Sequence, residues 1–254
     1  NLSIGYKSKK KESIVASHIN IELHKGELVG LIGANGIGKS TLLRTLTNVQ
    51  QSMTGDVLIN NKNLNKLNNN ELAKALSLVL TEHITSKNLS VLELVALGRQ
   101  PYTNWIGNLS KHDKVVVNNA IFKTNIEDIK HKKCYELSDG QLQKVMIARA
   151  LAQDTDLIIL DEPTTHLDMY HKAYILNLLK SLATETNKTI LSIVRIGTSG
   201  ALQPNIAIDS FVLSTYGMDI NGMLQSYNIE NIKNDKIEKA FIKHTKWSPK
   251  KPYP

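Results

Sequence analysis

Gly33-Ala34-Asn35-Gly36-Ile37-Gly38-Lys39-Ser40-Thr41 combines residue types and spacing that could hold a chain of phosphates. The pattern is G-x-x-x-x-G-K-[ST], and it carries weight when a buried strand precedes it and a helix follows. Glycines let successive backbone N–H groups converge on an anion with no Cβ in the way, and the helix that follows adds the positive end of its dipole. Lys39 would bring a point charge to the β- and γ-phosphates, and the Ser40 hydroxyl a ligand for Mg²⁺. A second group, Asp161-Glu162, follows the apolar run Leu157-Ile-Ile-Leu160. Carboxylates at the C-terminal end of a buried strand lie where open α/β sheets take their ligands. Asp161 fits a Mg²⁺ contact, direct or through water, and Glu162 fits a general base that polarises an attacking water. A third group is Leu137-Ser138-Asp139-Gly140-Gln141, with Ser138 standing 23 residues ahead of Asp161. Ser138 would cap a helix and leave donors pointing outward from its N-terminus, an anion site with no anion in its own loop.

These residues need elements to hold them. Gly26–Gly33 is a short apolar run without alternation, as expected of a strand buried on both faces of a parallel sheet. A helix is predicted over Lys39–Asn48, and another opens near Glu71 after the Asn- and Lys-rich turn Asn60–Asn70. Ser90-Val-Leu-Glu93 is a capping box for a helix ending near Gly98, with Pro101 as a stop signal. Ser110 precedes a helical stretch to about Asn125, and Ser138 caps one through Ala152. Leu157–Leu160 reads as a second buried strand. Ile175, Leu178, Leu179 and Leu182 then form one apolar helix face. Thr189–Val194 and Phe211–Leu213 read as further strands, and Ile229–Phe241 as a closing helical segment. Strands alternating with helices predict a parallel sheet of βαβ units, and the strand-free stretch from 84 to 152 a helical subdomain set between its strands.

Composition bounds the rest. The chain has 254 residues, 31 Lys+Arg against 23 Asp+Glu and a formal net charge of +8. That length suits one large α/β domain or one domain carrying an insert. No apolar run approaches the roughly 18–20 residues needed to span a bilayer. The single Cys134 excludes an intrachain disulfide framework and favours a reducing compartment. No signal-peptide pattern stands at the start, and the first residue is Asn1 rather than Met, which leaves the true N-terminus open. The positive charge, with its cluster at Lys7, Lys9, Lys10 and Lys11, suits an anionic partner or a solvated basic face.

Taken in order along the chain, the phosphate loop, the Leu137–Gln141 turn and the acidic strand resemble the ATP-binding subunit of an ABC transporter. The likeness runs from Leu2-Ser-Ile-Gly-Tyr6 to the region of Lys239-Ala-Phe241. It implies a P-loop NTPase fold of class α/β, with a mostly parallel sheet, an N-terminal antiparallel β portion and an inserted α-helical subdomain. It also implies a single domain over 1–254, with a nucleotide-binding core in two parts (1–83 and 153–254) around a helical subdomain at 84–152. ATP and Mg²⁺ are the implied ligands. In that family the signature turn of one subunit closes over ATP held by the other, so Ser138, Asp139, Gly140 and Gln141 would face a partner's nucleotide in a head-to-tail homodimer. Tyr6 matches the position of the adenine-stacking aromatic, and Asp168 of Thr165-His-Leu-Asp168 the aspartate of the loop that crosses the dimer interface. Ser90–Tyr102 followed by Leu109-Ser-Lys-His-Asp113 resembles the importers of iron–siderophore, haem and cobalamin complexes. The implied partners are transmembrane permease subunits and, indirectly, an extracytoplasmic binding protein, with the chain at the cytoplasmic face of the membrane.

Three positions depart from that family. Asp139 stands where glycine is usual in the signature. Leu80-Thr81-Glu82 occupies the place of a glutamine that helps hold Mg²⁺ and water, which makes Glu82 a substitute metal contact. The switch histidine expected after Thr189-Ile-Leu-Ser192 falls on Val194 or Arg195, and no histidine occurs between His171 and His244. Loss of an imidazole between γ-phosphate and base would slow hydrolysis by about 10²-fold or more, unless Arg195 donates in its stead. Three readings therefore compete: an energy-coupling ATPase, a nucleotide-gated subunit with little turnover, and an ABC-type ATPase acting on nucleic acid. Against the third, the sequence has no second nucleotide-binding domain, no long heptads, no zinc-type cysteine spacing and no basic–aromatic platform.

Overall fold

Strands that are apolar over most of their length must be covered on both sides, and the centre of this protein is built from them. A computed structural model describes residues 1–8, 11–33, 36–80, 88–165, 167–194 and 212–214. Two antiparallel strands, β1 (Leu2–Ser8) and β2 (Lys11–Ile19), form a hairpin whose register shifts twice near Ile4. The main sheet holds β3 (Leu28–Ile32), β6 (Leu76–Val79), β7 (Leu157–Asp161), β8 (Thr189–Val194) and β9 (Val212–Ser214). Their order is β6-β7-β8-β3-β9, and the β6–β7, β7–β8 and β8–β3 pairs are parallel. Every residue of β8 from Thr189 to Ile193 is buried, as a central strand with both faces covered requires. A small ladder of β4 (Leu58–Ile59) and β5 (Lys62–Asn63) lies apart from this sheet.

Each face of the sheet has its own cover. On one side α1 (Lys39–Leu46) and the hairpin bury Leu2, Ile4, Leu42 and Leu43 against Val29, Leu31, Ile159, Leu191 and Ile193. On the other, α3 (Val91–Ala96), α4 (Lys111–Lys123), α5 (Asp139–Ala152) and α6 (Met169–Thr186) share one core with Ile158, Leu160 and Ile190. The α6 face predicted from spacing, Ile175, Leu178, Leu179 and Leu182, is wholly inside that core. Between α1 and the sheet's β6 strand, α2 (Asn69–Ala75) begins at a reciprocal capping box of Asn68 and Glu71. Residues 88–156 hold helices and turns and no named strand among the described residues.

Three predicted boundaries shift. The helix starting after Ser90 ends at Ala96, and Leu97–Tyr102 continues as a 3₁₀ segment with Pro101 inside it. Proline's fixed φ matches that of a 3₁₀ turn, so here it continues the tighter turn where a stop was expected. The helix after the phosphate loop ends at Leu46, because Asn48 takes a left-handed φ of 58°. The last described strand, Val212–Ser214, runs one residue past the predicted end at Leu213, and Phe211 lies outside the described residues. The chain divides into a unit of Asn1–Leu213 and one of Ser214–Pro254. The predicted helical segment Ile229–Phe241 lies outside the described residues.

Candidate functional site

The sheet register sets the site. Leu31 and Asp161 both lie opposite Ile193 of the intervening β8, so β3 and β7 end almost level, at the same edge of the sheet. The phosphate loop leaves the end of β3 and the Asp161-Glu162 pair the end of β7. That is the crevice where parallel sheets accept ligands.

At the loop, Gly36 and Gly38 have φ of 83° and 109°, values that L-residues rarely adopt, and a Cβ on Gly36 would meet open space. Gly38 caps α1 with no side-chain hydrogen bond. The other five α-helices each begin under a capping side chain, from Asn68, Ser90, Ser110, Ser138 and Asp168. Among the described α-helices α1 alone starts at a residue with no side chain to cap it, the kind of helix start at which a phosphate can be bound. Lys39 is buried, and its Nζ donates to the Gly33 carbonyl at 2.6 Å across the base of the loop. Ser40 is exposed at the helix start, while Thr41 faces inward and shares a 3.0 Å hydrogen bond with the Tyr6 hydroxyl. Tyr6 thus stands beside the loop with half its surface open. Ala34 and Asn35 lie outside the described residues, and the backbone of Ile37 lies in the bend between the two glycines.

At the other strand end, Glu162 takes a left-handed φ of 45°. Its N–H donates to the Ile193 carbonyl at 2.9 Å, so the turn stays pinned to the sheet while the side chain swings off the strand. The Thr165 hydroxyl donates to Glu162 Oε2 at 3.1 Å. One carboxylate and one hydroxyl, Asp161 and Ser40, suit Mg²⁺, which takes few protein ligands and completes its shell with phosphate oxygen and water. Glu82 and Arg195, the two substitutes named from the sequence, lie outside the described residues.

The signature turn is placed by a capping box. The Ser138 Oγ accepts from the Gln141 N–H at 3.3 Å and Gln141 Oε1 accepts from the Ser138 N–H at 3.1 Å. Ser138 and Asp139 are exposed, whereas Gly140 is buried against α6. Asp168 caps α6, accepting the His171 N–H at Oδ1 and contacting the ring Nδ1 at Oδ2, both at 2.8 Å. These bonds from His171 hold the Asp168 carboxyl below its ordinary pKa. The turn at 138–141 therefore gathers with Asp168, and the phosphate loop gathers with Asp161 and Glu162.

A family model described as ABC transporter matches residues 16–165. The chain belongs to the ABC transporter family. Its P-loop NTPase fold agrees with solved cassettes. One is a dimeric ATP-binding cassette in a post-hydrolysis state bound to ADP and phosphate. It has a TM-score of 0.62 and 28% identity over 77% of this chain and 86% of that one. Another is cbiO1 of Clostridium perfringens, with a TM-score of 0.67 and 28% identity over 77% and 78% of the two chains. Among curated relatives, an uncharacterised ABC transporter ATP-binding protein of Methanocaldococcus jannaschii is 42% identical over 75% of this chain and 64% of its own length. A petrobactin import ATP-binding protein of Bacillus anthracis is 39% identical, over 72% of this chain and 67% of its own. An iron(3+)-hydroxamate import ATP-binding protein of Bacillus subtilis is 37% identical, over 76% and 70%. The match thus spans about two thirds of the length of these three relatives.

Within this ABC chain the structure adds a cluster that the motifs did not name as a unit. Arg99 is buried, its Nε donating to Asp113 Oδ1 at 2.8 Å and its Nη1 to the Ala152 carbonyl at 3.0 Å. The Tyr102 ring lies 3.8 Å from its guanidinium carbon. Asp113 also accepts the Ser110 hydroxyl at 2.6 Å and the Ser110 N–H at 2.9 Å. The Ser110 hydroxyl, with Arg99, holds its pKa down at about 2. The clamp ties the 3₁₀ segment to α4 and to the end of α5, and the loop it anchors carries Trp105, 94% exposed, and Ile106. An Arg followed fourteen residues later by Asp inside the Ser90–Asp113 stretch was the available signal.

Proposed function

We propose that this chain is the ATP-binding and ATP-hydrolysing subunit of an ABC importer for iron–siderophore complexes or the related haem and cobalamin cargoes. The observation that carries the reading is the Lys39-bearing glycine loop, which opens α1 at Gly38 and lies at the same sheet edge as Asp161 and Glu162. The names of the petrobactin and iron-hydroxamate import relatives support the cargo class. Lys39 and the loop N–H groups from Gly33 to Thr41 bind the phosphates, and Tyr6 packs on the base. Ser40 and Asp161 hold Mg²⁺, which supplies charge neutralisation at the β- and γ-phosphates. Glu162, held by Thr165, accepts the proton of the attacking water. Ser138, Gly140, Gln141 and Asp168 complete the site of a second, head-to-tail copy, and the exposed loop around Trp105 meets the permease at the cytoplasmic face of the membrane. No helix among the described residues is long and apolar enough to cross a membrane, which suits a subunit held there by a partner. The extracytoplasmic binding protein acts through that permease.

One sequence observation favours a second reading, a nucleotide-gated subunit with slow turnover: the switch-histidine place falls at Val194 or Arg195. Both readings require ATP-dependent dimerisation. With Glu162→Gln, MgATP is expected to double the mass measured by light scattering, and Lys39→Ala to abolish the doubling. A monomer at saturating MgATP overturns the head-to-tail site.

A further inference from the structure

Gly140 and His171 lie 31 residues apart in sequence and touch in the fold. A Cβ built on Gly140 would stand 2.6 Å from the His171 Cδ2 and 3.2 Å from both Cγ and Nε2. Not even a methyl group fits between the start of α5 and this ring. Glycine costs helix stability relative to alanine, so its place in the first turn of α5 has a steric reason within this one chain, whatever faces it across a dimer.

The ring is in turn held from behind. At the N-termini of α2, α3, α4 and α5, the third helical residue is Glu, Glu, Asp or Gln, and its side chain reaches back to the cap's N–H. At α6 the third residue is His171, whose Nδ1 goes to the cap's own carboxylate. The imidazole forgoes the reciprocal bond of a capping box and instead spans from Asp168 to Gly140. Tyr170 meets the ring edge-on with centroids 5.6 Å apart. One turn further along both helices the tie repeats. Lys144 Nζ lies 4.0 Å over the Tyr174 ring, and Tyr174 Oη accepts from Asn125 Nδ2 at 3.2 Å.

We infer that His171 is a positioning residue: bonded to Asp168 and seated on Gly140, it makes the Ser138–Gln141 turn and the turn that enters α6 at Asp168 one unit. The functional half of this inference rests on the reading that both turns face a partner's nucleotide. The ring cannot leave Gly140 without giving up a bond to Asp168, so a shift of either turn carries the other with it. A dimer then closes on both contacts together.

The test is a cycle of Gly140→Ala, His171→Ala and the double variant in the full chain, with two readouts. The first is amide hydrogen exchange without nucleotide. Gly140→Ala is expected to raise exchange at the His171 and Lys172 amides, which donate to Asp168, by roughly tenfold or more. In the double variant exchange there returns to the level of His171→Ala alone. The second is phosphate release with MgATP: Gly140→Ala loses roughly tenfold or more in kcat with the KM for ATP little changed, and the double variant recovers most of that loss. Unchanged exchange at 171–172 in Gly140→Ala, or a double variant as slow as Gly140→Ala, overturns the inference and returns Gly140 to a purely nucleotide-facing role. If the exchange cycle holds while the unsubstituted chain releases no phosphate, the coupling stands and the hydrolytic reading falls.

Discussion

Arg99→Ala is the perturbation whose size the structure defines best. The Arg99 and Asp113 side chains are 2% and 5% exposed, so the ion pair is screened by protein and not by water. Removing the guanidinium leaves a carboxylate buried, with only the Ser110 hydroxyl and N–H among the described residues still directed at it, and also withdraws a donor from the Ala152 carbonyl. Breaking one side of a buried pair costs about 3–5 kcal/mol. In a domain of this size that lowers Tm by roughly 6–20 °C. Urea unfolding followed by circular dichroism measures it, with Asp113→Ala and the double variant closing a cycle. The double variant is expected to cost less than the two singles together, by roughly 0.5–3 kcal/mol, because it leaves no charge stranded. The pH dependence has a definite sign. The Asp113 carboxyl is lowered from 3.8 to about 2 on folding. Its contribution is therefore present above about pH 4 and is lost as pH falls toward 2. The penalty of Arg99→Ala is expected to shrink over that window. A loss at neutral pH below about 1 kcal/mol, the scale of a solvated surface pair, would refute the clamp.

Lys39→Ala removes a charged donor from the phosphate loop and is expected to weaken ATP binding by roughly 10- to 100-fold in a fluorescent-nucleotide titration; unchanged affinity sinks the loop assignment. Tyr6→Phe deletes the hydrogen bond to Thr41 and is expected to cost about 1 kcal/mol of stability while nucleotide affinity holds, whereas Tyr6→Ala raises the KM for ATP. Trp105→Ala, at a side chain almost fully in solvent, is expected to change stability by less than about 0.5 kcal/mol yet reduce retention on permease-containing membranes. Retention equal to the unsubstituted chain would move the permease contact elsewhere.

Much of this site was legible because its causes are local. Ser90, Ser110 and Ser138 announce their helices three residues before the acid or amide that answers them, and all three boxes form. The apolar run of β7 read as a strand covered on both faces and the stretch of β8 as a further strand, and both lie inside the sheet. What stayed hidden is long-range or conformational. Nothing in Asp161-Glu162 signals that Glu162 must turn left-handed to leave the strand. Gly140 read as a phosphate-facing glycine, because the ring that forbids any other residue there comes from a helix formed later in the chain. Arg99 and Asp113 carried no separate reading in the sequence, and packing placed them side by side.

The central claim is that Glu162 serves catalysis at a nucleotide held by the Gly33–Thr41 loop. Steady-state phosphate release, measured with MgATP on the purified chain with its permease and compared with Glu162→Gln, tests it most directly. The account predicts turnover that Glu162→Gln lowers by roughly 10²-fold or more while ATP binding is retained. Equal turnover in both proteins, or ATP bound with no phosphate released by either, would contradict it.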